Sequence, residues 1–184
     1  MKPIIVAINS ISGGGKTTIT RELHKRTPNS KALYFDDRDY DSDSGIVDIC
    51  DWVEAGADVD LFNLERLAVE IESLRKECPD FIFVDYPFGY SHKMIAPFIN
   101  YSIFIDTPLD IAMARRILRD FTAGTSTEIL ADMKQYLGRG RDTYIYGIDS
   151  GRKDADFLVD GSLDLDSIIE LISKKIMGVS HTYL

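Results

Sequence analysis

A glycine-rich stretch near the N-terminus contains the residue types of a phosphate-binding loop. The stretch "NSISGGGKTT" carries Gly15-Lys16-Thr17, the ending of the pattern glycine, any four residues, Gly-Lys-Ser/Thr. Glycines let successive backbone N–H groups turn toward a phosphate, the lysine reaches the outer phosphates, and the threonine hydroxyl can hold Mg²⁺. Ser10 occupies the place of the first glycine, but the sequence still predicts a nucleotide site.

Seven of the residues predicted to bind the nucleotide lie in this loop or in the first turn after it. A short apolar strand, 3–9, precedes the loop, and a helix, 16–26, follows it, so the helix N-terminus also faces the phosphates. Lys16 is a catalytic candidate as well, and Thr17 is a metal candidate. The predicted nucleotide-binding residues are Ser12, Gly13, Gly14, Gly15, Lys16, Thr17 and Thr18.

Aspartates follow two later strands, where a phosphoryl-transfer enzyme needs carboxylates. Asp36 ends the segment "LYFD", and a carboxylate there could accept the proton of an attacking hydroxyl, with Asp37 as the alternate. Asp85 ends the strand "DFIFVD", which should pair with the first strand, and this position commonly holds Mg²⁺ through a water. The other aspartates of this loop, Asp39, Asp41 and Asp43, are expected to be solvated or to cap the next helix. The glycine spacing does not fit a calcium loop.

Strand and helix patterns alternate along the whole chain. This alternation predicts a three-layer α/β/α P-loop NTPase fold of the α/β class, with a mainly parallel five-stranded sheet, in a single domain covering 1–184. The predicted strands are 3–9, 31–35, 80–85, 101–106 and 155–160. The predicted helices are 16–26, 46–57 with breaks, 60–77, 91–98, one starting at Pro108, 126–146 and 164–177.

Composition excludes several classes of function. The net charge of −9 argues against a nucleic-acid-binding surface, and no apolar run is long enough to cross a membrane. With two cysteines and no sign of a signal peptide, the chain is expected to be cytoplasmic. The guanine motif Asn-Lys-x-Asp of switch GTPases is absent from the sequence, which favours a small-molecule kinase that uses ATP and Mg²⁺.

Several longer segments resemble the uridine kinase family and, more broadly, the nucleoside kinase and phosphoribulokinase group of P-loop kinases. The segments are "LYFDD", "DLFNLERLAVEIESL", "ARRILRD", "MKQY" and "GRKDADFLVDG". The resemblance implies that Asp36 is the base and that a lid around 115–141 supplies arginines to the phosphates or to adenine. It also implies that Lys153 lies near the adenine pocket.

Helical spacing separates the three arginines of "ARRILRD". Arg115 and Arg119 share one helix face, whereas Arg116 points elsewhere. Arg115 and Arg119 are therefore the catalytic candidates, and Arg116 is a candidate for binding the nucleotide.

Three departures from the family pattern predict a divergent member. Ser10 replaces the first loop glycine, and "FVDYPFGY" stands where the family often has a Glu-Gly pair. "TAGTST" replaces a second arginine-rich lid segment, for which Arg139 and Arg141 could compensate.

The predicted reaction is transfer of the γ-phosphoryl group of ATP to a hydroxyl of a nucleoside or similar small molecule, by a protein that could form homo-oligomers. The acceptor pocket is placed in the 38–62 region, where Arg38 could bind an anion. Trp52, Tyr40 and Tyr86 could stack on a base but are expected to be core or surface residues.

Two alternatives remain open. The first is a kinase for a phosphorylated or sulfated acceptor, adenylylsulfate or a nucleoside monophosphate, using Arg38, Arg66 and Arg75. The second is an ATP-binding regulator without transfer activity.

Overall fold

A parallel sheet forms the centre of the protein. The computed structural model describes residues 2–37 and 45–180, with backbone only for residues 37, 179 and 180. The strands are β1 (Ile4–Asn9), β2 (Ser30–Tyr34), β3 (Phe81–Asp85), β4 (Tyr101–Asp106) and β5 (Phe157–Asp160). Their order across the sheet is β2-β3-β1-β4-β5, and every pairing is parallel. The predicted strands and the parallel α/β/α architecture are confirmed.

Helices cover both faces of this sheet. They are α1 (Lys16–Arg26), α2 (Ile49–Glu54), α3 (Glu65–Lys76), α4 (Leu109–Asp120), α5 (Ser126–Gln135), α6 (Arg141–Lys153) and α7 (Leu165–Ser180).

Three predicted helices differ from the structure. The predicted helix 60–77 is a 3-10 turn, Val59–Leu61, followed by α3, which begins only at Glu65. In the region 91–98 a short 3-10 turn, Ala96–Phe98, replaces the predicted helix, with a proline early in that turn. The predicted helix 126–146 is α5, a π-helical turn at Tyr136–Gly140 and α6, which continues to Lys153. The two glycines of that turn tolerate the irregular backbone.

The apolar residues of β1 face both ways because both faces of the sheet are covered. Ile5 and Ala7 pack on the side of α3, with Leu67 and Ile71. The alternate residues of β1 pack on the side of α1 and α7. A central parallel strand therefore reads as one uninterrupted apolar run, as "IIVAI" does.

The carboxyl ends of the three strands that carry candidate residues meet at one edge. Asp85 pairs in register with Ile8 of β1 on one side and with Tyr34 of β2 on the other. The glycine-rich loop leaves β1 at this edge, and a 3-10 turn, Phe35–Asp37, continues from β2. Ligands of open parallel sheets bind at this edge, so the fold brings the candidate residues to the expected place.

Candidate functional site

The glycine-rich loop has a backbone that requires glycine at two positions. Gly13 and Gly15 have φ angles of 78° and 102°, in the left-handed region that side chains disfavour. A Cβ atom at Gly13 would lie 2.1 Å from the carbonyl oxygen of Ala112 in α4. The loop ends at Gly15, which precedes α1 and offers no side-chain cap. The first turn of α1 therefore presents its N–H groups in the way that favours an anion.

Ser10 fits beneath the loop rather than obstructing it. Its side chain is buried, and its hydroxyl donates a hydrogen bond of 3.0 Å to the carbonyl oxygen of Ile105 in β4. A Cβ atom at Gly14 would lie 1.8 Å from the Ser10 Oγ, so the glycine at 14 leaves the room that the serine uses. The loop thus accommodates a serine in place of its first glycine and is tied by it to the sheet.

Replacing Ser10 by alanine is expected to cost stability without affecting nucleotide binding. The change removes the hydrogen bond to Ile105, and a buried hydrogen bond of this kind contributes about 1 kcal/mol. We therefore expect a free energy of unfolding in urea that is lower by about 1 kcal/mol, with an unchanged Kd for ATP. A large loss of ATP affinity would instead mean that the serine hydroxyl contacts the phosphates.

Three predicted residues that end or follow three different strands along the chain lie together at the loop. The Nζ of Lys16 donates a hydrogen bond to Oδ1 of Asp85 and lies 3.5 Å from Oδ2 of Asp36. Asp85 is fully buried and Lys16 is largely buried, whereas the Asp36 side chain is 73% exposed. An exposed carboxylate next to the loop lysine can reach a substrate in the cavity, while the buried one holds the lysine in place.

The second oxygen of Asp85 is suited to a cation. Its Oδ2 is buried and accepts no hydrogen bond from the part of the chain that the structure describes. Thr17 lines the cavity, next in the chain to the Lys16 that contacts Asp85, and hydroxyl and carboxylate oxygens are the ligands that Mg²⁺ prefers. Among the described residues no group of three or more histidine, cysteine or acidic side chains could hold a metal alone. These residues fit a Mg²⁺ ion that is bound jointly by the protein and by phosphate oxygens.

The three arginines of α4 have different surroundings, as their helical spacing predicts. Arg115 donates a hydrogen bond of 3.4 Å to the carbonyl oxygen of Gly161 and lines the cavity beside the loop. Arg119 also lines it and donates a hydrogen bond of 3.3 Å to the Ser12 hydroxyl. Its guanidinium also pairs with Asp120, and this ion pair raises the pKa of Arg119. Both guanidinium groups can therefore reach a ligand on the loop.

Arg116 is engaged elsewhere. Both of its terminal nitrogens contact the carboxylate of Asp132 in α5, and this pairing raises its pKa. Arg116 does not line the cavity, and its contact with Asp132 joins α4 to α5. In this structure Arg116 holds α4 and α5 together.

The remaining candidates for binding the nucleotide lie in two places. Ser12 and Thr18 are exposed and line the cavity. Lys153 is the exposed last residue of α6 and lines a separate hollow of about 560 Å³. Lys153, which the resemblance placed near an adenine pocket, therefore lies outside the main cavity.

The cavity continues from the loop into a space with aromatic walls. Its volume is about 1040 Å³. The ring of Trp52 lies edge-on to those of Phe62 and Tyr146, with centroids 5.4 and 5.6 Å away, and Phe88 lies 4.6 Å from Phe62. Sequence reasoning singled out Trp52, expecting it to be a core or surface residue, and missed the other rings. Planar ligands stack favourably on such walls.

Trp52 and Tyr86 have different surroundings. The indole N–H of Trp52 donates a hydrogen bond of 2.9 Å to the carbonyl oxygen of Asp58, which fixes the ring in the cavity wall. Tyr86 is fully buried away from the cavity lining, and burial raises the pKa of its hydroxyl.

The other residues named in the loop after β2 lie outside the described residues. They are the acceptor candidates Arg38 and Tyr40 and the aspartates Asp39, Asp41 and Asp43.

Arg139 and Arg141 do not line the cavity. Arg139 forms ion pairs with acidic side chains of α2 and of its N-cap, and Arg141 is exposed at the start of α6. Neither arginine therefore contacts the cavity in the way expected of a substitute for the missing arginine-rich segment.

Comparisons with known proteins agree with the fold and with the resemblance seen in the sequence. The chain is 26% identical to uridine kinase of Streptococcus pneumoniae, over 97% of this chain and 95% of that protein. No family model matches the chain. The similarity extends over nearly the full length, as the motifs from residue 10 to residue 161 predicted.

Solved structures of kinases share the fold at lower identity. A gluconokinase from Sinorhizobium meliloti 1021 superposes with a TM-score of 0.61 at 14% identity, covering 98% of this chain and 95% of that one. Deoxyadenosine kinase from M. mycoides with bound dCTP has a TM-score of 0.56 at 17% identity, covering 95% and 100%. The chain has a P-loop kinase fold.

The fold and the full-length similarity together support a small-molecule phosphotransferase. No helix in the described ranges is long and apolar enough to cross a membrane.

Proposed function

We propose that the protein transfers the γ-phosphoryl group of ATP to a hydroxyl of a nucleoside or a similar neutral metabolite with a planar ring. The observation that carries the proposal is a single cavity with a phosphate loop at one end and aromatic walls at the other. Lys16, Asp85 and Asp36 lie together at the loop end. The domain is proposed to act as one kinase unit, with residues 115–141 as its lid.

Each residue at the loop end has a proposed role in the transfer. The loop N–H groups and Lys16 bind the β- and γ-phosphates, and Arg115 and Arg119 neutralise charge on the transferring group. Asp36 accepts the proton of the attacking hydroxyl, which its exposed position beside Lys16 allows. Arg116 is left out of these roles because Asp132 already occupies its guanidinium.

Mg²⁺ would be held by Thr17 and Asp85. When bound, it supplies charge neutralisation at the β- and γ-phosphates. The buried Oδ2 of Asp85, without a hydrogen-bond donor among the described residues, supports this assignment.

The charge of the cavity favours a neutral acceptor. Among the described residues, the cationic side chains that line it come from α1 and α4, and none comes from α2 or α3. Of the three arginines assigned to an anionic acceptor, Arg66 and Arg75 lie on α3 away from the cavity lining, and Arg38 lies outside the described residues. Within the described residues the aromatic end thus offers stacking surface rather than positive charge.

The test is ADP release from Mg-ATP with a panel of acceptors: nucleosides, gluconate and other simple sugars and sugar acids, pantothenate, adenylylsulfate and nucleoside monophosphates. We expect release with one or more nucleosides and none with the anionic members. Release that requires adenylylsulfate or a nucleoside monophosphate would replace the proposal by the anionic-acceptor alternative. ATP binding without any acceptor-dependent release would favour the regulator.

A further inference from the structure

One arginine joins the two walls of the aromatic end of the cavity. Arg139 lies in the π-helical turn that precedes α6, and three acidic side chains at α2 surround its guanidinium. One terminal nitrogen contacts Asp51 and lies 3.1 Å from Glu54, and the other lies 3.6 Å from Asp48. No other ion pair between these two elements occurs within the described residues.

The two joined elements carry facing parts of the aromatic wall. Trp52 lies on α2 between Asp51 and Glu54 along the chain, and Tyr146 lies on α6. Their rings meet edge-on at 5.6 Å, and the Thr143 hydroxyl of α6 lies 3.5 Å from the Sγ of Cys50. The ion pairs of Arg139 therefore act on the spacing of the same helices that hold these rings.

The helix α2 needs such support because its own length provides little. It has six residues, and short helices are marginal without tertiary contacts. Asp48 caps its N-terminus by accepting hydrogen bonds from the N–H groups of Cys50 and Asp51, and these bonds lower the pKa of Asp48. The same carboxylate faces Arg139.

We propose that Arg139 is a positioning residue that holds α2 against α6 and so forms the acceptor pocket before the acceptor binds. The claim that Arg139 shapes an acceptor pocket rests on the proposed function. The claim that Arg139 holds α2 against α6 does not. Arg139 acts through Trp52 and Tyr146 and does not itself line the cavity.

A fluorescence experiment tests the closure without any acceptor or turnover. Trp52 is the single tryptophan of the chain and is 8% exposed, so acrylamide should quench its emission poorly in the wild type. In Arg139→Gln we expect more efficient quenching, because α2 is no longer held. Raising the salt concentration should increase quenching in the wild type and change it little in the variant, since salt screens exposed ion pairs. Equal quenching in both proteins would overturn the proposal.

Matched variants distinguish a specific effect of the Arg139 ion pairs from a general effect of charge and from misfolding. Lys134→Gln removes one positive charge from the exposed surface of α5 and should leave quenching unchanged. The pair Asp51→Asn with Glu54→Gln removes the other side of the contact and should reproduce the Arg139→Gln result. Arg139→Asp combined with Asp51→Arg should restore part of the protection. Failure of both the pair and the swap would overturn the proposal even if Arg139→Gln misfolds.

Steady-state kinetics then test the role toward the acceptor. We expect Arg139→Gln to raise the acceptor KM about threefold to tenfold, as loss of a few exposed ion pairs allows. The KM for ATP and kcat should stay near the wild-type values. A fall in kcat with unchanged acceptor KM would contradict the positioning role. If no acceptor in the panel is phosphorylated, the proposed function fails, and the closure is still decided by the quenching of Trp52.

Discussion

Replacing Lys16 by alanine is expected to abolish phosphoryl transfer and also to lower the stability of the unliganded protein. The lysine would no longer bind the transferring phosphoryl group, and the loss of one such charged donor costs on the order of 10³-fold in kcat. The change also leaves Asp85 fully buried without its cationic partner. Removing one member of a buried ion pair costs about 3–5 kcal/mol. Steady-state kinetics and urea unfolding measure the two effects separately.

A double variant distinguishes the two effects. Lys16→Ala combined with Asp85→Asn removes both charges, so much of the lost stability should return while turnover stays absent. Lys25→Ala serves as the control, because Lys25 is an exposed lysine of the same helix. A Lys16→Ala protein as stable as the wild type would show that the buried pair does not form in solution. Retained turnover would exclude Lys16 from the phosphate site.

Much of the fold could be predicted because parallel sheets impose a simple pattern. Central strands buried on both faces must be apolar throughout, as "IIVAI" and "FIFV" are, and glycine or proline follows closely. The edge strand β5 was predicted two residues too long at its start. Its residues alternate in exposure, so its apolar signal is weaker than that of β1.

The loop end of the site was also predictable, because its two aspartates lie at strand ends and its lysine ends a recognisable loop motif. Asp36 and Asp85 come at or just after the ends of β2 and β3, and the parallel sheet places those ends beside Lys16. Local sequence and strand order together suffice for this part of the site. Predicting this part of the site does not require knowing the path of a long loop.

The aromatic end could not be predicted by the same reasoning. Trp52, Phe62, Phe88 and Tyr146 come from four separate segments, and no spacing along the chain indicates that they meet. Their meeting depends on the path of the loops after β2 and β3 and on the direction of α6. A π-helical turn precedes α6, where helical periodicity alone predicted an ordinary helix.

Long-range ion pairs escaped prediction for a related reason. Asp132, which engages Arg116, lies 16 residues away on another helix, and the acidic partners of Arg139 lie more than 80 residues away. Any of the chain's 30 acidic residues could pair with these arginines by sequence alone. Family motifs name the arginines, whereas the tertiary structure decides which of them remain available to a ligand.

Asp36→Asn is expected to reduce kcat by about 10²–10⁴-fold, the usual contribution of a general base. Asparagine keeps the shape of the side chain but cannot accept the hydroxyl proton. The affinity for ATP should be unchanged or slightly higher. The Asp36 carboxylate is largely exposed, and its loss removes a negative charge from the neighbourhood of the phosphates. Nucleotide binding by calorimetry and turnover with the acceptor found in the panel measure the two quantities.

Asp37→Asn decides which of the two neighbouring aspartates is the base. Asp36 precedes Asp37 in the same 3-10 turn, so both variants change the charge of one short segment equally. A selective loss in Asp36→Asn assigns the proton transfer to Asp36, and a selective loss in Asp37→Asn transfers the role to its neighbour. If Asp36→Asn weakens ATP binding as much as it slows turnover, the carboxylate serves to orient Lys16, which lies 3.5 Å away. The base role would then have to be abandoned for that residue.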